Sequence, residues 1–416
     1  MRSIRTRFFC VLRLTAALLV AATASFGHAD DAPVPLLAEG HPVDWWFAFK
    51  FNGQSFPACS AQAPANTCVF GGSLQSYKQG ASQQFVYASS DDATLQQGVD
   101  CIGTTSVDPL GATFGEIYNG SYHFVVWNDQ FKTDPSVAGC GVNCGAPWGH
   151  SKGVLAWNDA GDGVVVQVST PSWPGSGSRA FPRSDGNTLG CVQDNNIEYS
   201  QHFFALKLTK SDVVTVLEAL QTASVVTDPT VPQLVQNGGP ADIQLLVKQL
   251  GKRLATARAT SATLSSGVQL IAKPSHLSVP PWQMVSSLLG GVPLYVANWW
   301  EQTKSVAIPD TTATTQIDCW DASLTTPPGA VTNAKTGTWQ GVALGLTGGG
   351  GDTHNHAKVG VTVGSDGHTA IFGDMNQEGS ISGKCTSAQN GRGGMFFVVP
   401  NPTLGNGVAQ LIGLTP

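Results

Sequence analysis

Apolar runs separated by turns rich in Gly, Pro and Asn dominate the chain once its first thirty residues are passed. Residues 43–51, Val-Asp-Trp-Trp-Phe-Ala-Phe-Lys-Phe, predict a buried strand, and 84–88 and 122–127 predict two more, with a loop over 53–72. Lys152–Trp157 and Gly163–Val168 flank Asn158-Asp159-Ala160-Gly161-Asp162, the signature of a hairpin. Ser, Pro and Gly over 169–190 predict a surface loop, and 202–208 another strand. Ser211 is expected to cap a helix over 213–220. Pro229, Pro232, Gly238, Gly239 and Pro240 make 222–240 the best place for a boundary.

The second half repeats the alternation. A helix is expected over 241–251, and Pro280-Pro281 opens another over 282–289 that stops at Gly290-Gly291. A strand follows at 292–299. After the glycine run 348–351, residues 358–363 and 368–372 predict a second hairpin around 364–367, and 394–400 the last strand. Strands mixed with helices in both halves indicate an α/β fold. Each half carries one His-x-Lys that leads into a hairpin strand. The expectation is two similar mixed-sheet halves about a pseudo-twofold axis, 30–235 and 236–416.

The first 29 residues read as a signal peptide: a leader with Arg2, Arg5, Arg7 and Arg13, a short apolar stretch, and Gly27-His28-Ala29 as the cleavage site. No later stretch is apolar enough for a membrane span, so an exported chain without a membrane anchor is expected. The leader holds four of the 22 basic residues and no acid, leaving 18 against 28 and a net charge of −10. Such a balance opposes binding of a polyanion at neutral pH. Eight cysteines remain after Cys10 leaves with the leader, an even number that suits disulfides in an oxidising compartment. The expected pairs are Cys59–Cys68, Cys140–Cys144, Cys101–Cys191 and Cys319–Cys385. A zinc site at Cys140 and Cys144 is the rival for that pair.

The chemistry concentrates in Gly149-His150-Ser151-Lys152 and Asn355-His356-Ala357-Lys358. In extended chain, residues i and i+2 share a face, so each motif offers an imidazole beside an ammonium. Two such pairs around one cavity suit a phosphodiester. The lysines hold the non-bridging oxygens, one histidine attacks phosphorus, and the other protonates the leaving oxygen. The lysines then do the charge work that a metal does elsewhere, and no cofactor is called for.

Several stretches in order resemble the deoxyribonuclease II family, acid endonucleases related in fold to phospholipase D. They are Val43-Asp44-Trp45-Trp46 with Lys50, Phe124 to Gln130 ending in Asn128-Asp129-Gln130, Gly149 to Leu155, and His356-Ala357-Lys358 followed by Gly373-Asp374-Met375-Asn376. Arg392-Gly393-Gly394 is similar to the family's late glycine motif. The resemblance covers about 41–400. It implies a phospholipase D-like fold and acid-favoured, metal-independent cleavage of DNA, double-stranded as substrate, leaving 3′-phosphate ends. It permits a homodimer, and it places the protein in the periplasm, a lysosome or the extracellular space. Its catalytic set maps to His150, Lys152, His356 and Lys358.

One element departs from the wider superfamily, which has an Asp five residues after each Lys; here Trp157 and Val363 stand there, with Asp159 and Asp366 further on. The acid that orients each histidine is therefore open, with Asp374, Glu198 and Asp129 as candidates. Asn376, with Asn128, is a candidate for binding phosphate. Two other classes remain. His354 and His356 with Asp352 and His368 could form the metal site of a hydrolase. Eleven Trp and the glycine-rich loops also suit a secreted glycan- or nucleic-acid-binding module. Trp45, Trp46, Trp299 and Trp300 are expected in the core, while Trp148 and Trp173 could line a groove. His123, His202 and His276 are expected to be ordinary edge or core histidines.

Overall fold

A computed structural model describes residues 31–57, 82–99, 101–103, 106–131, 137, 139–140, 143–171, 198–256, 258–300, 306–365 and 367–414. The expected leader, Cys59, Cys68, Cys191, Trp173, Asp366 and most of the expected 169–190 loop lie outside the described residues. The fold is mixed α/β. Eight strands make the first sheet: β1 (Trp45–Lys50), β2 (Phe85–Ser89), β3 (Gln96–Gln97), β4 (His123–Asn128), β5 (Lys152–Trp157), β6 (Gly163–Val168), β7 (Gln201–Leu208) and β8 (Val235–Gln236). Seven make the second: β9 (Thr260–Thr263), β10 (Gln269–Lys273), β11 (Leu294–Ala297), β12 (Val331–Asn333), β13 (Val359–Thr362), β14 (Ala370–Gly373) and β15 (Gly394–Val399).

The order across the first sheet is β8-β4-β5-β6-β7-β1-β2-β3, and across the second β9-β10-β15-β14-β13-β11-β12. The run β4-β5-β6-β7-β1 thus has the same connectivity as β11-β13-β14-β15-β10. In each, the earliest strand lies beside the latest, and all of these pairs are antiparallel. Both β1 and β10 end in a fully buried lysine, Lys50 and Lys273. Both expected hairpins, β5–β6 and β13–β14, are present.

Period-two burial decides how the sheets pack. On β14, Ala370 and Phe372 enter the main core, while Ile371 enters a smaller cluster on the opposite face. On β15, Met395, Phe397 and Val399 face one way, and Phe396 and Val398 the other. The main core is the seam between the sheets. There Phe372 stacks on Phe47 of β1 at 4.3 Å and lies 4.9 Å from Phe204 of β7, and Phe204 is 5.4 Å from Phe397. The other face of the second sheet is closed by α4 (Pro281–Leu288), whose Trp282 meets Phe396 edge-on at 5.2 Å.

Four other helices complete the fold. The chain from β7 enters α2 (Lys210–Thr222), which packs on β6 and β7 of one sheet and on β9, β10 and β15 of the other. Its cap is Thr209, not Ser211. The Thr209 side chain accepts from the Asp212 amide while Asp212 accepts from the Thr209 amide, a reciprocal box that Ser211, two residues later and already inside the helix, does not form. The chain from β15 enters α5 (Pro402–Leu411), which packs on β13 and β14. Helix α1 (Pro109–Asn119) and α5 were not expected from the pattern. Their interior glycines blur the periodicity, although Asp108-Pro109 and Asn401-Pro402 are cap-and-N1 signals. Gly405 has a packing reason: a Cβ there would lie 1.8 Å from the His368 carbonyl oxygen. The helix expected over 241–251 is α3 (Ala241–Val247), and the strand expected over 292–299 is confined to β11.

Cys140–Cys144 and Cys319–Cys385 are disulfides, which removes the zinc alternative for Cys140 and Cys144. Cys101 is disulfide-bonded as well, but the expected Cys101–Cys191 pair falls partly outside the described residues. Among the described residues no helix is long and apolar enough to cross a membrane. Because Phe372 of the second sheet packs on two aromatic rings of the first, Phe47 and Phe204, Phe372→Ala is expected to lower the unfolding free energy by about 3–5 kcal/mol. Urea denaturation measures this, and a loss well under 1 kcal/mol would show that the seam does not rest on that ring.

Candidate active site

Each His-x-Lys lies in extended chain at the mouth of a hairpin, one beside each sheet. Lys152 opens β5, and His356 and Lys358 immediately precede β13. The two motifs are pinned by matching bonds across the seam. The His150 amide donates to the Gly393 carbonyl (2.8 Å), and the His356 amide donates to the Ser200 carbonyl (2.8 Å). Gly149 is required by proximity: a Cβ there would stand 2.6 Å from the Ala223 carbonyl oxygen at the end of α2. Gly393 presses on the same oxygen, at 2.1 Å for a hypothetical Cβ.

The result is one cavity of about 280 Å³, lined by His150, Lys152, His356 and Lys358 together with Gln130, Ser169, Pro171, Trp299, Asn376 and Glu378. A larger cavity of about 860 Å³, between the 31–42 segment and α1, shares no residue with it and contains no His or Lys. The smaller cavity, not the larger, is the one in which four basic side chains converge.

His150 is oriented by a main-chain oxygen. Its Nδ1 donates to the Asp374 carbonyl at 2.6 Å, which fixes the tautomer and leaves Nε2 as the nitrogen with a lone pair. The Asp374 carboxyl points elsewhere: it accepts from the Met395 amide (2.9 Å) and Gln167 Nε2 (3.1 Å). Burial raises that carboxyl to about 7, against the hydrogen bonds from Ser151, Met395 and Gln167. His356 lies between aromatic rings, stacked on Tyr199 at 4.0 Å and edge-on to Trp299 at 4.4 Å. Its ring bonds to the Gly349 backbone, and its buried Nε2 has no hydrogen-bond partner among the described residues. Trp299, expected in the core, is partly exposed on the cavity wall instead, because it follows the end of β11.

The lysines are supported differently. Lys152 Nζ bonds Asp129 Oδ1 at 2.5 Å, and Arg392 Nη2 bonds Asp129 Oδ2 at 2.8 Å. Burial acts to raise the Asp129 carboxyl, but Lys152, His150 and Arg392 together hold it well below the usual carboxylate range. Lys358 Nζ donates to the His356 carbonyl. Burial, then the charge of Lys152, lowers Lys358 to about 7. Both imidazoles are pushed well below their ordinary value. Burial is the main cause for each, followed by Lys152 for His150 and by Lys358 for His356.

The other expected residues separate. Asn128 and Asp129 are fully buried behind the wall and do not line the cavity. Asn376 does line it, with Nδ2 donating to Glu378 Oε2 at 3.1 Å. Glu198 acts electrostatically on Lys50, which burial lowers to about 7. The metal arrangement does not form. His354 Nδ1 bonds Thr353 Oγ1 and His368 Nδ1 bonds the Thr362 carbonyl, and among the described residues no group of three His, Cys, Asp or Glu is placed to hold an ion.

The profile of one protein family, Deoxyribonuclease II, matches residues 36–414. The chain belongs to the deoxyribonuclease II family. It is a phosphodiester hydrolase of deoxyribonuclease type, and DNA is its substrate class. A comparison with curated proteins gave no match. Within this deoxyribonuclease II chain, sequence reasoning missed Tyr199, Arg392, Glu378 and the part played by His202. Buried His202 accepts the Lys358 amide at Nδ1 (3.1 Å), and burial, then Lys358, lowers its pKa to about 3. Only Arg392 had a usable signal, a lone cation inside a glycine motif.

Removing Asp129 would leave two buried cations uncompensated, with Lys152 only 3% exposed and the Arg392 side chain 10%. Asp129→Ala is therefore expected to cost about 3–5 kcal/mol of stability. Chemical denaturation checks this, and a neutral result would mean that the array is not a buried ion network.

Proposed function

We propose that the protein cuts DNA without a metal, through a phosphohistidine, faster in acid than at neutral pH, and leaves 3′-phosphate ends. The observation that carries this is the single cavity shared by both His-x-Lys pairs. Lys152 and Lys358 bind the non-bridging oxygens and offset the charge of the pentavalent state, with an N–H of Asn376 assisting. The lone pair of one imidazole forms an N–P bond as the P–O5′ bond breaks, and the other histidine gives its proton to O5′. Water then attacks phosphorus, the P–N bond breaks, and the second histidine takes the proton from water. The 3′-phosphate leaves and both imidazoles return to their starting states.

The same strand connectivity in the two sheets, and the paired bonds His150 to Gly393 and His356 to Ser200, support a phospholipase D-like arrangement of two repeats. We divide them just after β8, one residue beyond the expected 235/236, because that cut would split this strand of the first sheet. A signal peptide over 1–29, removed on export, accounts for the disulfide-bonded cysteines. One chain supplies both motifs, so the chemistry does not require a second copy.

The sign of the pH dependence follows from the lowered basic groups. At neutral pH both imidazoles are neutral and Lys358, near 7, is only partly charged. Turnover needs a charged Lys358 and one protonated imidazole. Both populations grow as pH falls, so the rate is expected to rise from pH 7 downwards, until the attacking imidazole is also protonated. The test is plasmid cleavage from pH 4 to 8 in excess EDTA, comparing the wild type with His150→Ala and His356→Ala. Expected results are EDTA resistance, a higher rate in acid, and losses of at least about 10³-fold in both variants. Abolition by EDTA would sink the metal-free scheme, and a rate that climbs towards alkaline pH would sink the protonation scheme.

A further inference from the structure

We infer that Arg392 is a positioning residue for the cleavage reaction, fixing the Lys152 ammonium in the cavity by holding Asp129 from the opposite side of the seam. This rests on the function proposed above. The guanidinium is buried, and among the described residues its bonds end on the first motif or its support. Nη2 shares its hydrogens among Asp129 Oδ2 (2.8 Å), the Cys144 carbonyl (2.6 Å) and the Gly149 carbonyl (2.8 Å), and Nε donates to the Trp148 carbonyl (3.0 Å). Asp129 turns its other oxygen to Lys152 Nζ. The lysine therefore reaches the cavity from a carboxylate that is itself clamped.

Arg392 is also anchored from behind. Its carbonyl accepts from Lys273 Nζ at 2.8 Å, and the next carbonyl, of Gly393, accepts the His150 amide. Asp129 is held at a second point, because its carbonyl accepts the Cys144 amide at 2.7 Å and Cys144 is tied to Cys140. The opposite motif is served from the matching place. Ser200 accepts the His356 amide as Gly393 accepts that of His150, and the residue before Ser200, Tyr199, stacks on His356. One support is an aromatic plane on a histidine, and the other is a planar cation acting on a lysine through a carboxylate.

Charge explains why arginine fits. Asp129 alone would neutralise Lys152, whereas the Lys152–Asp129–Arg392 array keeps a net positive charge beside the phosphate site. A planar fork also spans acceptors that one ammonium could not reach together. Arg392 further acts on His150, whose surrounding charges are Lys152, Asp129, Arg392 and Lys358. Losing Arg392 removes one of the cations that keep His150 unprotonated, so the acid-side rise in rate should begin at higher pH.

The experiment is a double-mutant cycle on plasmid cleavage with Arg392→Met, Asp129→Asn and the double variant, measuring kcat, KM, the pH–rate profile and thermal stability. Expected for Arg392→Met is a fall in kcat of about 10²-fold with KM changed by less than about three-fold, and a rate rise displaced towards neutral pH. The double variant should be no slower than about three-fold below the slower single variant, since both changes break one array. Millimolar guanidinium should restore part of the Arg392→Met rate, which a purely structural loss would not allow. If Arg392→Met does not fold, Arg392→Lys replaces it, with the same kcat loss expected because one ammonium cannot clamp the carboxylate. A folded Met or Lys variant with wild-type kcat, or losses that multiply in the double variant, would overturn the inference. Absence of DNA cleavage by the wild type at every pH would instead overturn the proposed function.

Discussion

Two lysines and two histidines have to share one small cavity. At about 4 Å, two like charges repel by roughly 4 kcal/mol at an effective dielectric constant near 20. The protein meets this load unequally. Lys152 is given a buried carboxylate, Asp129, which Arg392 clamps in turn. Lys358 donates to a carbonyl, the charges of Asp129, Asp374 and Glu378 offset its burial only in part, and it surrenders part of its charge near neutral pH. Both imidazoles shed their protons. In the proposed mechanism a bound phosphodiester supplies the anion that restores those charges, so affinity for the substrate and the protonation used in turnover form one linked equilibrium.

The seam between the sheets makes this arrangement feasible. Phe372, Phe47 and Phe204 lock the sheets face to face in a dry core, and the motifs emerge where the strands leave that core. Because His150 hangs from Gly393 and His356 from Ser200, neither motif is positioned by its own sheet alone. The acid missing five residues after each lysine finds its explanation here. A main-chain oxygen, that of Asp374, orients His150, and the Gly349 backbone holds His356. A carbonyl fixes the tautomer as well as a carboxylate does, and it adds no negative charge beside a site built for an anion.

Much was legible in the chain. Val-Val-Trp-Asn and Gly-Val-Val-Val are apolar runs that make strands almost wherever they fall, and both hairpins followed from their turns. Helices α1 and α5 were not legible, since Gly111, Gly115, Gly405 and Gly407 weaken the periodic signal that their caps alone could not replace. Trp299 shows the limit for single residues. An apolar run marks it as core, but two positions beyond a strand end are enough to turn an indole onto a cavity wall.

By itself the sequence marked the candidate reactive groups. The spacing in His150-Ser151-Lys152 and His356-Ala357-Lys358 puts an imidazole and an ammonium on one side of extended chain, a consequence of backbone geometry that needs no partner. Tertiary structure decided everything that depends on which distant atoms meet. Asp129 serves Lys152 as counterion although it had been a candidate to orient a histidine, Asp374 acts through its carbonyl, and Arg392 reaches 243 positions back to Gly149 of the first motif. Such roles rest on burial and on distances of about 3 Å between segments far apart in the chain, and local pattern carries no record of either.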